Sequence, residues 1–197
     1  HEFADGLFVG DAQGYDCVIM NPPYQKIRSI SETRHNLRKL GIETSNLYAA
    51  FMALAANQLK PGGEFVSITP RSFCNGPYFR PFRRYFLDRM AIQRIHAFES
   101  RKQAFKEDDV LQENVILHAI KSPAKPDTVA VSVSAAPAED VQTRRVPYNE
   151  LISPSDPNLF IHVAVDDGSE HAAKRMAHLP ATLGNLGIAV STGRVVD

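Results

Sequence analysis

Four consecutive residues, Asn21-Pro22-Pro23-Tyr24, carry the most legible chemistry in this chain. An amino nitrogen on an aromatic ring is a poor nucleophile, because its lone pair is delocalised into the ring. Accepting hydrogen bonds from both of its N–H groups draws the nitrogen toward tetrahedral geometry. The side-chain oxygen of Asn21 can accept one such bond, and a carbonyl of the Pro22-Pro23 pair the other. Proline suits that role because its fixed φ stiffens the loop and it brings no N–H of its own. Acceptors held in place before the reaction are electrostatic preorganisation. Tyr24 adds a flat face on which an extruded base can stack, worth about 1–3 kcal/mol. The chemistry implied is methyl transfer to an exocyclic or amide nitrogen by direct in-line attack. A diproline turn with a core tyrosine is the plainer reading of the same four residues. The apolar run before them, Tyr15–Met20, favours the functional one, since ligands in open α/β sheets bind at the carboxyl ends of strands.

The elements that must hold this corner follow from pattern. Residues 15–20 read as a buried strand, and 3–9 as a short strand or its end. Residues 25–44 are polar and basic, with a weak helical pattern from Ile30 to Leu40 that stops at Gly41, and read as a mobile insertion. Ser45 is placed to cap a helix over Asn46–Leu59, which Lys60-Pro61-Gly62-Gly63 ends. Strands are predicted over Phe65–Thr69, Ile92–Phe98 and Glu113–Ile120, with a helix over Phe79–Met90 that carries Pro81 in its first turn. Alternation of this kind predicts a mostly parallel sheet with helices on both faces. After Pro126 the texture changes. Thr128–Ser134 reads as a strand, Ala135–Asp140 as a turn, Asn158–Val165 as a further strand and Ser169–His178 as a short helix.

The 197 residues can hold one domain with a proper core and the start of a second. Apolar content of 44% and charged content of 22% are ordinary for a globular protein, and the net charge is zero. The charge is unevenly spread. Between Arg71 and Lys106 nine Lys/Arg face only Asp88 and Glu99, a local excess of seven. Such a stretch suits a polyanion, although a solvated helix face reads the same way. Arg71, Arg80, Arg83 and Arg84 are the candidates for phosphate contacts, which would make binding steeply salt-dependent. Cys17 and Cys74 lie far apart in apolar settings and read as buried free thiols in a reducing compartment. No ligand spacing for a metal occurs, and His171 and His178 read as surface residues. No Gly-x-Ser-x-Gly elbow or phosphate loop occurs either. No apolar run approaches a membrane span, so no membrane partner is expected.

Several motifs agree in order and spacing with one family. Asn21-Pro22-Pro23-Tyr24, Asn46-Leu47-Tyr48-Ala49-Ala50-Phe51 and Leu59-Lys60-Pro61-Gly62-Gly63 before a strand resemble the adenine-N6 DNA methyltransferases of restriction-modification systems, in the TaqI-like group. The resemblance covers about residues 3–121. It implies an α/β fold: a Rossmann-like class I methyltransferase sheet with helices on both faces, incomplete at the N-terminus, followed by a small β-rich extension. It implies S-adenosylmethionine as cofactor and double-stranded DNA as substrate. A restriction or specificity subunit is an implied partner, and the cytoplasm of a prokaryote the implied location. By the same resemblance Phe51 packs beside the cofactor's adenine, and Asp5 hydrogen-bonds the amino group of that adenine. Asn21 is also implied among the cofactor-binding residues, and Phe105, like Tyr24, packs against the flipped base. Residues 1–121 would be the C-terminal half of the catalytic domain, and 122–197 the extension with the start of a target-recognition domain from Leu183 onward.

The family's Gly-rich loop and ribose-binding acid have no counterpart before Asn21. On that ground the stretch is expected to bind cofactor poorly by itself. Two alternatives stay open. A methyltransferase acting on the glutamine amide of a protein uses the same tetrapeptide. A non-catalytic DNA-binding or assembly module of a restriction-modification complex would also lack the Gly-rich loop.

Overall fold

The computed structural model describes residues 14–98, 114–134 and 141–163, and in the last stretch 175–176, 178–181 and 183–189. Asp5, Phe105, the strand at 3–9, the turn at 135–140 and most of the helix at 169–178 lie outside the described residues.

Among the described residues a single sheet holds six strands: β1 (Tyr15–Met20), β2 (Leu59–Pro70), β3 (Met90–Phe98), β4 (Asn114–Lys121), β5 (Thr128–Ser134) and β6 (Gln142–Pro147). Their spatial order is β1-β2-β4-β3-β5-β6. Only β1/β2 and β3/β5 are parallel; β2/β4, β3/β4 and β5/β6 are antiparallel. The sheet is therefore mixed, not mostly parallel. Antiparallel β4 inserts between β2 and β3, and the polar strand β6 closes a hairpin on β5. The sheet also runs past Lys121, so β5 and β6 continue the first unit. That unit extends through Val163, and residues 164–197 form a second, in which 183–187 make turns.

Five helices accompany the strands among the described residues: α1 (Glu32–Lys39), α2 (Leu47–Gln58), α3 (Ser72–Asn75), α4 (Arg80–Arg89) and α5 (Tyr148–Leu151). A 3-10 turn over Pro77–Phe79 leads into α4. Alanines 49, 50, 53, 55 and 56 of α2 are all buried, so its backbone lies close to the sheet. Asn57 of α2 accepts a bond from the Tyr85 hydroxyl of α4 at 2.7 Å. Phe86 of α4 meets Phe65 of β2 edge-on at 5.5 Å. These contacts put α2 and α4 on the same face, over Phe65, Val115, Leu117, Ile92 and Ile95. Two lysines cap those helices. Lys121 Nζ donates to the carbonyls of Asn57 and Leu59, and Lys125 Nζ to those of Leu87 and Met90. Cations at C-terminal carbonyls complement the helix dipole.

Three local expectations are corrected. β1 is not buried: Tyr15 is 56% and Ile19 78% exposed, since β1 ends the strand order and no described strand covers its outer edge. Cys17, on its outer face, is exposed for the same reason, whereas Cys74 is buried. The helix before Lys60–Gly63 ends as expected, at Gln58, but these residues are strand rather than a helix cap. They form a bulge inside β2, where the register jumps from Tyr15↔Leu59 to Cys17↔Glu64. Gly62 sits at φ +82°, and a Cβ on Gly63 would lie 2.9 Å from the Lys60 carbonyl oxygen. The bulge, not a helix terminus, is what requires this glycine pair.

Residues 25–44 are docked rather than mobile. Ile27, Leu37 and Ile42 join the core. Ser31, not a loop residue, caps α1 by accepting from Arg34 N. Gly41 at φ +75° ends it, with Gly41 N donating to Arg38 O and Ile42 N to Leu37 O at 2.9 Å each. This is a Schellman close with the Leu37–Ile42 contact that accompanies it. Arg34 and Arg38 both bind Glu43, whose carboxyl is held below its usual range mainly by the Arg38 bond. Gly41→Ala is expected to cost about 1 kcal/mol, the strain of a side chain at positive φ, read as a lower urea midpoint.

Candidate functional site

β1 and β2 run in parallel up to Met20↔Ser67, and the chain turns at Asn21 just past that pair. The corner therefore stands at the carboxyl ends of the two parallel strands, where a sheet of this kind leaves room for a ligand. Pro22 is buried and anchors the turn, while Asn21 and Pro23 are exposed and Tyr24 is half-buried. The Tyr24 hydroxyl donates to Asn21 Oδ1 at 3.1 Å and has the Ile68 carbonyl within 3.4 Å. An amide oxygen carries two acceptor sites, so Asn21 Oδ1 keeps one free while Tyr24 fixes its direction. Partial burial raises the Tyr24 phenol above its ordinary value, so it stays a neutral donor across physiological pH.

Behind Tyr24 stands a layer to which residue type alone assigned no role. The Tyr48 ring meets the Tyr24 ring edge-on, 6.3 Å between centroids at 84°. Tyr48 is itself buried, packs on Phe79 at 5.7 Å, and shares a 2.9 Å hydroxyl bond with Ser72. Burial drives its phenol well above the usual range. Tyr48 lies in α2 and Ser72 in α3, so the aromatic plate rests on both elements that leave the sheet at this end. Asn46 rather than Ser45 is the residue before α2, and its side chain makes no capping bond.

On the other side of Met20 an apolar groove of about 320 Å³ runs between β1 and α2. Val18, Ile19 and Met20 line it from the strand, Phe51, Leu54 and Ala55 from the helix. Phe51 is 37% exposed and is the large side chain of α2 left open to solvent. Met20 thus borders the groove and precedes Asn21, which brings the groove and the corner together.

The four arginines do not form one phosphate-facing patch. Arg83 is 1% exposed. Its Nη1 donates to the carbonyls of Phe73 and Gly76 at 2.8 Å each, its Nε to Asn158 O at 3.0 Å, and the guanidinium lies 4.8 Å from the Phe160 ring centre. It is a structural clamp and leaves the phosphate set. The spacing of Phe79, Phe82 and Phe86 carried that signal, since Arg83 falls on the same stripe of the helix. Arg80 donates to Pro157 O at 2.8 Å yet is exposed, and Arg71 binds Val163 O. Arg84 is exposed. The segment 158–163 that these side chains hold is irregular chain, not the strand predicted there. The carbonyls of Asn158 and Val163 are taken by Arg83 and Arg71 instead of a neighbouring strand.

Residues 1–105 match the model of the Eco57I restriction-modification methylase family, more than half of the chain. The chain belongs to that family. It is 49% identical over 185 residues to the Type II methyltransferase M.PstI of Providencia stuartii, covering 93% of this chain and 36% of that protein. It is 45% identical over 194 residues to the Type II methyltransferase M.BsuBI of Bacillus subtilis, covering 98% of this chain and 38% of that protein. The chain thus spans little more than a third of the length of these relatives. The fold is that of the class I S-adenosylmethionine-dependent methyltransferases. A Listeria monocytogenes protein assigned to that class superposes with a TM-score of 0.53 at 17% identity, over 68% of this chain and 41% of its own. The type IIG restriction endonuclease BpuSI superposes with a TM-score of 0.52 at 15% identity, over 68% of this chain and 19% of its own.

Proposed function

We propose that this chain carries the base-binding half of a DNA methyltransferase that transfers the methyl group of S-adenosylmethionine to the exocyclic N6 of an adenine flipped out of duplex DNA. The observation that carries the reading is the corner itself. Asn21 holds an oriented, exposed oxygen at the end of β1, and Tyr24 presents an aromatic plate 3.1 Å away through its hydroxyl. In this reading the target base stacks on Tyr24 while Asn21 Oδ1 and the Pro22 carbonyl accept its two amino hydrogens. Held so, the nitrogen would be turned toward the methyl that the cofactor would supply; the methyl–sulfur bond would break as the nitrogen–carbon bond forms, the thioether would leave and one amino proton would pass to solvent, with no covalent intermediate on the chain. Neither cysteine is needed as a nucleophile.

The groove beside Met20 supports the cofactor half of the proposal. Its apolar walls and the open face of Phe51 fit a flat heterocycle such as adenine. Among the described residues nothing in that groove offers a carboxylate for a ribose, so the fit extends to the adenine moiety. When bound, the cofactor supplies an electrophilic methyl on a sulfonium. Asp5 would hold the cofactor's adenine amino group, and Phe105 would face the target base across from Tyr24.

DNA is favoured over a protein glutamine by the family to which the chain belongs. Exposed Lys26, Arg28, Arg80 and Arg84 are the cations offered to its phosphates, with Arg71 at the edge of the set. A restriction or specificity subunit is the partner such an enzyme would have, the cytoplasm its place of work. Residues 183–197 would open a target-recognition domain.

Tyr24→Ala is expected to weaken productive binding of the target base by about ten- to a hundredfold, the value of one stacking face. Tyr24→Phe keeps the face and is expected to retain most of that binding. A steady-state KM for a short duplex, compared across the three proteins, checks this. Equal KM values for wild type and Tyr24→Ala would remove the base from that plate.

A further inference from the structure

Ile30 is the most exposed large apolar side chain among the described residues, at 96%. It does not hang on a loose loop. The loop that follows Tyr24 is pinned at its base, where Lys26 bridges to Asn46, Ile27 N donates to Ser45 O at 2.7 Å, and Leu47 N donates to Gln25 O at 2.8 Å. The Ile27 side chain is buried beneath it. Ser31 N and Ser31 Oγ then both donate to Arg28 O, at 3.1 and 2.8 Å, closing a turn with Ser29 and Ile30 at its tip. An apolar residue just before a helix cap ordinarily folds back onto the fourth residue of the helix. Here that residue is His35, which is itself exposed, and Ile30 makes no such contact.

The charges around the tip are divided. Arg34 and Arg38 are held by Glu43. Lys26 and Arg28 are exposed and have no ion-pair partner among the described residues. A rigid turn that presents a bare aliphatic side chain with free cations two and four residues before it fits one surface well. The cations suit phosphates on either side of a base step, and the aliphatic group suits the step itself. Ile30 is six positions after Tyr24, so it lies at most about 20 Å from that plate along an extended chain.

We propose that Ile30 is a wedge that enters the duplex beside the target base and fills the space its departure opens, with Lys26 and Arg28 on the flanking phosphates. The proposal rests on the DNA reading above. A tip that stabilises the opened step helps only where a base pair must be broken.

The test uses the full-length protein, wild type and Ile30→Ala, on two short duplexes: one fully paired, one with an abasic site opposite the target adenine. Because Ile30 is exposed, the melting temperature of the variant is expected to match that of wild type. On the paired duplex kcat/KM is expected to fall about tenfold, and the fluorescence of 2-aminopurine at the target position to fall with it. On the abasic duplex the loss is expected to be no more than about twofold, since little pairing is left to break. Lys26→Ala and Arg28→Ala should weaken binding to both duplexes alike and lower the salt slope by about one each. Equal rates for wild type and Ile30→Ala on the paired duplex, or equal losses on both duplexes, would overturn the wedge. A wild-type protein that methylates neither duplex would overturn the underlying reading, and the wedge with it.

Discussion

Replacing Asn21 with alanine is expected to lower the rate of methyl transfer by about 10²–10³-fold while leaving DNA binding within about twofold of wild type. The amide oxygen is oriented by the Tyr24 hydroxyl at 3.1 Å and lies at the exposed end of β1. Its proposed bond to the amino hydrogen strengthens as the nitrogen becomes tetrahedral, so its loss falls on kcat more than on KM. Asn21→Asp keeps an acceptor but adds a charge beside a developing cation and a cationic cofactor. It is expected to keep more activity than alanine. Single-turnover rates at saturating duplex, with binding measured separately by gel retention, check both variants. An alanine variant with wild-type single-turnover rates would remove Asn21 from the chemistry.

Arg83→Met is expected to destabilise the protein by about 3–5 kcal/mol. Methionine matches the aliphatic stem but donates to nothing. The carbonyls of Phe73, Gly76 and Asn158 would all lose their guanidinium donor in a site that is 1% exposed. Each buried carbonyl left bare costs about 1–3 kcal/mol, with some relief from relaxation. Lysine is a poor substitute, because one ammonium cannot reproduce the fixed fork that reaches three carbonyls. Arg84→Met, one residue along on the exposed side, is expected to change stability by less than about 0.5 kcal/mol. Urea unfolding of the two variants separates the roles. A loss below 1 kcal/mol for Arg83→Met would mean that the clamp does not hold the 158–163 segment.

The central corner was legible in the sequence because its chemistry demands rare residue types in a fixed order. Asn21-Pro22-Pro23-Tyr24 after an apolar strand has few other uses, and the strand ends where it was expected, at Met20. β4 and β5 were equally plain, since each is a short β-branched run bounded by breakers. The misreadings share one cause. They occur where a tertiary partner overrides a local signal. Lys-Pro-Gly-Gly is ordinary helix-stop chemistry, yet parallel pairing with β1 draws it into β2 as a bulge. The polar run at 25–44 gave no amphipathic pattern strong enough to predict docking, because only Ile27, Leu37 and Ile42 are needed to seat it. Charge alone suggested that Arg83 faces phosphates; its helical phase, on the stripe of Phe79, Phe82 and Phe86, pointed inward instead. β6 escaped notice because an edge strand whose residues are mostly polar lacks the alternation that marks a half-buried one.

The identity of the methylated atom tests the central claim most directly. A short duplex is incubated with S-adenosylmethionine labelled in its methyl group and the full-length protein, digested to nucleosides and resolved by mass spectrometry. The expected result is label in N6-methyl-2'-deoxyadenosine alone, formed by wild type and lost with Asn21→Ala. Label in a deoxycytidine, label in a protein glutamine, or N6-methyl-2'-deoxyadenosine formed equally well by both proteins would contradict it.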